Sequence, residues 1–123
     1  MTLGVRCLRV LVVDDEPLIR WSIAETLGAA GHQVIEAQDA VSTLRVLAEA
    51  PTPDLILLDF RLPDSNDLGL LAEIRRIVPT TPVVMMTAFG TPDMNAGALK
   101  LGASGVLNKP FNMHDLEGLV RSL

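Results

Sequence analysis

Residues 10–17 read VLVVDDEP. Val10–Val13 is a continuous run of branched apolar side chains, the pattern of a strand covered on both faces. It runs straight into Asp14, Asp15 and Glu16. Two carboxylates about 4 Å apart repel by about 4 kcal/mol at an effective dielectric of about 20. A chain that lines up acids at the mouth of a buried strand therefore needs something to take up their charge.

Outward from this stretch, strand-like runs alternate with helix-like segments. The expected strands are Leu8–Val13, Gln33–Ala37, Asp54–Leu58, Pro82–Met86 and Ser104–Leu107. Pro17 suits the first position of a helix. Ile19, Ile23, Leu27 and Ala30 then recur at helical spacing, with Gly31 placed for a C-cap. Val41, Leu44, Leu47 and Ala48 repeat the pattern in a second helix, and Leu68, Leu71, Ile74 and Val78 in a third. The fourth, Thr91–Leu101, is weak, because Gly97 in its middle costs about 1 kcal/mol relative to alanine. The last, Met113–Leu123, carries Leu116, Leu119, Val120 and Leu123. Strict alternation implies an α/β domain, a parallel sheet with helices on both faces and right-handed crossovers. In such sheets the functional cleft opens at the carboxyl ends of the strands, where strand order reverses.

Composition narrows the function. The 123 residues match one domain and are 49% hydrophobic, which excludes a disordered chain. A net charge of −5 disfavours direct nucleic-acid binding. The single cysteine, Cys7, leaves no disulfide framework and points to a reducing compartment; its expected role is packing. No apolar run is long enough for a membrane span, and the amino-terminal stretch lacks a signal-peptide layout. The expected location is cytoplasmic, with no membrane partner. His32 and His114 fall outside the strand-end groups and are expected at the surface or on helix flanks.

The strand ends carry the chemistry. Asp14 and Asp15 follow the first strand, Asp59 the third, in LILLDFRLPD, Thr87 the fourth, in VVMMTAFG, and Lys109 the fifth, in GVLNKPF. The second strand ends in Glu36, Ala37 and Gln38, which suits an edge strand away from the site. Taken singly, a strand-end aspartate is a turn residue or a cap, Thr87 a helix cap and Lys109 a solvated charge. Their joint occurrence is what matters. Three carboxylates on one rim fit a hard divalent cation such as Mg²⁺ or Mn²⁺, set between Asp14, Asp15 and Asp59. A lysine is a good point-charge partner for a phosphoryl oxygen, and a threonine hydroxyl donates to another. Such a group makes a phosphoryl-accepting aspartate, because this transfer is catalysed mainly by positioning and charge stabilisation. Asp59 is the expected nucleophile, as it alone lies on the central strand between the acid pair and Thr87 and Lys109.

VLVVDDEP, LILLDFRLPD, MMTAFG and LNKPF, in this order, resemble the receiver domain of bacterial two-component response regulators, most closely the NtrC type. The resemblance covers residues 7–123. It implies a doubly wound, five-stranded CheY-like (flavodoxin-like) sheet in order 2-1-3-4-5 with five helices. It further implies one receiver domain over 1–123, with no output domain in this stretch and a stand-alone or an excised regulator both open. By position, Asp59 accepts phosphate from the phosphohistidine of a sensor histidine kinase or phosphotransfer protein. Asp15 binds Mg²⁺ directly with Asp14 assisting, the backbone carbonyl of Arg61 is a further ligand, Thr87 contacts the phosphoryl group and Lys109 bridges it to the carboxylate. The Lys109–Pro110 bond is expected to be cis.

Three positions depart from the family pattern. Val106 stands where the family places the aromatic switch residue, so the usual ring rotation is lost; Phe89 is a candidate substitute, or a loop anchor. Asp67 stands where a glycine is usual, and Asp67 or Asn66 is a candidate N-cap for the third helix. Ser65 replaces a methionine. Phosphorylation adds about −1.5 to −2 charge at Asp59. Thr87 and Lys109 are expected to reorient toward it and to shift the fourth helix, fifth strand and fifth helix, controlling an output domain or a phosphorylation-dependent homodimer. Arg61 and Phe89 flank the expected path of the attacking water and are expected to tune dephosphorylation. Beyond this self-modification no enzyme activity is expected. A haloacid-dehalogenase-type phosphatase needs a second aspartate where Arg61 stands, and no nucleotide-binding glycine motif occurs. The rival reading is a phosphorylation-independent dimerisation or docking module.

Overall fold

The computed structural model describes residues 7–88 and 90–122. The strands are β1 (Arg9–Val13), β2 (Gln33–Ala37), β3 (Leu55–Asp59), β4 (Val83–Thr87) and β5 (Gly105–Asn108). Between and after them run α1 (Pro17–Ala29), α2 (Ala40–Glu49), α3 (Gly69–Ile77), α4 (Pro92–Lys100) and α5 (Met113–Arg121). All pairings are parallel, in the order β2-β1-β3-β4-β5, as expected. Strand order reverses beside β1, which opens the crevice between β1 and β3.

Side chains alternate across the sheet. Leu11, Val13, Ile56, Leu58 and Met85 face one way, onto Leu70, Leu71 and Ile74 of α3, with Leu44 and Leu47 of α2 against them. Val10, Val12, Leu55, Leu57, Val84 and Met86 face the other way, onto Ile23 and Leu27 of α1 and Leu116 and Val120 of α5. Each fully buried leucine or isoleucine contributes roughly 1.5–3 kcal/mol.

Three strands run one residue further along the chain than their apolar runs: β3 ends at Asp59, β4 at Thr87 and β5 at Asn108. The ladder continues through polar residues, since Asp59 pairs with Met86 and Thr87 with Asn108. Thr91 is the N-cap of α4 rather than part of it, its hydroxyl accepting from the Met94 N–H. Ala30, the C-cap of α1, is exposed, and in α2 Val41 and Ala48 are exposed while Thr43 is buried. The Thr43 hydroxyl donates to the Asp39 carbonyl at 2.8 Å, which satisfies it inside the core.

Helix ends follow local chemistry. Gly31, at φ +95°, lets α1 close with bonds from Gly31 N to Gly28 O and from His32 N to Leu27 O. Gly102, at φ +101°, closes α4 in the same way, a cap the helical spacing did not show. Gly97 in α4 has a purpose: a Cβ there would meet Leu68 Cδ1 at 3.1 Å. Neither Asp67 nor Asn66 is the N-cap of α3; that position is Leu68, and the Asp67 carboxylate instead accepts from the Gly69 N–H at 2.8 Å. No described residue other than glycine has a positive φ, so Asp67 does not need the freedom of the glycine it replaces. Cys7 is exposed, against the expected packing role. His32 is half-buried, its Nδ1 accepting from the Leu8 N–H, and His114 is exposed. No described helix is long and apolar enough to cross a membrane.

Candidate functional site

β1 delivers Asp14 to the bottom of the crevice, where it has no solvent exposure. Four bonds hold it. Its N–H donates to Ala37 O at 3.1 Å, and its carbonyl accepts from Arg20 Nη1 at 2.6 Å. Its Oδ1 accepts from the Glu16 N–H at 2.9 Å, and its Oδ2 pairs with Lys109 Nζ at 2.9 Å. Asp59 and Thr87, the last residues of β3 and β4, are both buried. Lys109 follows β5 directly; its N–H donates to Thr87 O at 2.8 Å, which aims the side chain across the strand ends. The Lys109–Pro110 bond is cis, as expected.

Lys109 ties the acids together. Besides Asp14, its ammonium lies 3.4 Å from Asp59 Oδ2 and 3.2 Å from Glu16 Oε1. Asp14, Asp15, Glu16 and Asp59 each offer a carboxylate oxygen, all within 4.8 Å of one another. Asp15, Glu16, Asp59, Arg61, Thr87 and Lys109 line one cleft of about 390 Å³. Among the described residues the Asp15 carboxylate has no hydrogen-bond or ion-pair partner. One ammonium leaves this group with an excess of negative charge. The donor set is oxygen only, with one carboxylate uncommitted, which fits Mg²⁺ or Mn²⁺.

The electrostatics are uneven. Burial pushes the Asp59 carboxyl up to about 6, with the neighbouring Asp14 charge adding to it. The Lys109 charge and the Arg61 N–H, 3.4 Å from Asp59 Oδ1, pull the other way. Burial alone would lower the Lys109 ammonium, but the bond to Asp14 and the charges of Asp14, Asp59 and Glu16 outweigh it, so the net shift is upward.

The structure brings Asp14, Asp15, Asp59, Arg61, Thr87 and Lys109 to one rim, as their strand-end positions require. Val106 is half-buried on β5, paired with Met85 and packed against the same core cluster as Ala98 of α4. Phe89 lies outside the described residues. Two participants were missed. Glu16 shares Lys109 with the aspartates, and its place in the DDE run was the signal. Arg20 is the other: its Nη1 donates to the Asp14 carbonyl, and its Nε pairs with Glu36 Oε1 at 3.0 Å on the edge strand β2, outside the cleft lining.

A doubly wound sheet with an acidic, lysine-bridged cleft at its switch point defines an α/β domain of the CheY-like class. Residues 10–121 match the response regulator receiver domain, and the chain belongs to that family. It is 41% identical over 112 residues to the response regulator protein PilR of Pseudomonas aeruginosa, covering 91% of this chain and 25% of PilR. It is 37% identical over 111 residues to the DNA-binding transcriptional regulator NtrC of Escherichia coli K12, covering 90% of this chain and 24% of NtrC. The chain thus spans about a quarter of either relative. The crystal structure of a CheY-like receiver domain protein from Methanospirillum hungatei superposes with a TM-score of 0.89 at 28% identity, covering 95% of this chain and 93% of that one.

Proposed function

We propose that residues 1–123 form one phosphoacceptor receiver domain acting in the cytoplasm, with Asp59 taking a phosphoryl group from the phosphohistidine of a sensor kinase or phosphotransfer protein. An Asp59 oxygen forms the new O–P bond; the N–P bond of the donor breaks, and its electron pair stays on the imidazole nitrogen. The observation that carries this reading is Asp59 buried at the strand end, 3.4 Å from the Lys109 ammonium in an acidic cleft. Asp14, Asp15, Asp59 and the Arg61 carbonyl would hold Mg²⁺ or Mn²⁺, which when bound supplies positive charge to the transferred oxygens. Lys109 holds the Asp59 carboxylate in place before transfer and neutralises the new group after it. Thr87, at the end of the neighbouring strand, lines the cleft and would supply its hydroxyl as a further donor. The domain catalyses only its own phosphorylation and dephosphorylation, with Arg61 beside the path of the attacking water.

The added charge of about −2 draws Thr87 and Lys109 toward Asp59. α4 is the element suited to follow, since Ala98 is its one buried residue and Leu99 is 52% exposed. The readout is an output domain, transcriptional by analogy with NtrC, or a homodimer; this domain itself makes no direct contact with nucleic acid. Incubation with acetyl phosphate and Mg²⁺ should add the mass of one phosphoryl group, and Asp59→Asn should add none. Equal uptake by both proteins refutes the assignment of Asp59.

A second reading is favoured by Val106, which removes the aromatic switch: a docking or dimerisation module indifferent to phosphate. An unchanged oligomeric state and unchanged α4 amide shifts with beryllofluoride would support it.

A further inference from the structure

Arg20 lies in the second turn of α1 and reaches back over the start of its own helix. Its Nη1 donates to the carbonyl of Asp14 at 2.6 Å, and its Nε pairs with Glu36 Oε1 on β2 at 3.0 Å. The side chain is only 17% exposed, so the guanidinium is packed in place rather than waving in solvent. Its backbone N–H closes the first turn onto Glu16 O at 3.0 Å. The carbonyl it grips belongs to the peptide unit between Asp14 and Asp15. That unit sets the angle between a carboxylate with both oxygens committed and one with none committed among the described residues. On its other side Asp14 is tied to the edge strand through Ala37 O. The edge strand therefore holds the acid pair twice, through the backbone and through Glu36 and Arg20.

We propose that Arg20, oriented by Glu36, is a positioning residue for the acid pair: it fixes the Asp14–Asp15 peptide and thereby sets how tightly the cleft binds a divalent cation. This rests on the reading of the cleft as a cation site. A positive charge beside a cation site by itself weakens binding. The fork geometry does the opposite, because a guanidinium can hold a carbonyl and a carboxylate at once, which an ammonium on a flexible stem does not reproduce. The two effects have opposite signs, and this makes the proposal testable.

Mg²⁺ affinity is measured by calorimetry for the wild type, Arg20→Met and Arg20→Lys, with thermal unfolding in EDTA to confirm that each variant is folded. Positioning predicts a dissociation constant raised about 10-fold or more in both variants, the effect usual for outer-sphere partners of metal ligands. If charge alone matters, Arg20→Met binds more tightly and Arg20→Lys matches the wild type, and either result overturns the proposal. A folded Arg20→Lys protein alone decides the question should Arg20→Met fail to fold. Loss of phosphoryl uptake from acetyl phosphate should track the Mg²⁺ constant and be recovered at saturating Mg²⁺. Absence of Mg²⁺ binding by the wild type would instead refute the cation site itself.

Discussion

Lys109 and Asp14, 95 positions apart in the chain, form a 2.9 Å ion pair in which the carboxylate has no solvent exposure and the lysine side chain keeps 10% of its own. Removing one partner of a buried pair leaves the other charge without compensation, which costs about 3 kcal/mol or more. Lys109→Met should therefore lower the unfolding free energy in EDTA at pH 7.5 by about that amount, read by urea denaturation. Mg²⁺ should restore part of it by mass action. Glu16→Ala is the contrast, because its side chain is 57% exposed and its bond to the same ammonium is 3.2 Å. It should change stability by less than about 1 kcal/mol.

Asp59 titrates at about 6, above the 3.8 of a free carboxyl, chiefly because of burial. Between these values the native state binds more protons than the unfolded chain. Its stability therefore falls as pH rises through this window, and the full cost is present above about pH 6. Asp59→Asn abolishes that titration. In EDTA at pH 7.5 the variant should be more stable than the wild type by about 1–2 kcal/mol, a gain that vanishes near pH 4. In the wild type, Mg²⁺ binding should weaken as pH drops below about 6, as protons compete for the carboxylate. Thermal unfolding at the two pH values and calorimetry across the window check both statements.

Much of this was legible from residues 10–17 outward, for identifiable reasons. Buried parallel strands must be continuously apolar, so β1, β3 and β4 announce themselves, and β-α alternation leaves few topologies. The polar residues just past each strand were legible too, because the cleft lies where the strands end. The exact strand ends were not, since Asp59 and Thr87 keep pairing after hydrophobicity stops. Thr43 was missed because its burial depends on a carbonyl four residues earlier, and Val41 misled because a valine at helical spacing in a first turn still faced water. The Arg20–Glu36 pair spans two elements and has no spacing signature.

Gly31 and Gly102 share a positive φ but not their surroundings. A Cβ on Gly31 meets nothing within 4 Å, whereas on Gly102 it would meet Arg75 Cδ at 2.8 Å. Arg75 cannot yield easily: it donates to the carbonyls of Pro79 and Val78, each at 3.1 Å, and to that of Thr81. Gly31→Ala should cost about 1–2 kcal/mol for the left-handed backbone alone. Gly102→Ala adds overpacking and should cost more, about 2–4 kcal/mol in all. Comparing the two melting temperatures separates backbone strain from the clash with Arg75.

Gly90 bears on function rather than on stability alone. A Cβ there would lie 2.8 Å from Thr87 Cγ2, 2.9 Å from Asn95 Oδ1 and 3.3 Å from Met94 Cε. Thr87 belongs to the cleft, while Asn95 and Met94 belong to α4, so Gly90 is where the two come into near contact. The Asn95 Oδ1 is buried without a hydrogen-bond partner among the described residues. A methyl group at Gly90 must push either on Thr87 or on α4. Gly90→Ala should lower stability by about 1–3 kcal/mol. Displacing Thr87 should also slow phosphoryl uptake from acetyl phosphate while leaving Mg²⁺ affinity near wild type, because the acid pair is held from β2 and α1 instead. Equal slowing of uptake and loss of Mg²⁺ binding would mean that the whole cleft has been disturbed, and unchanged uptake that Thr87 does not respond to its neighbour.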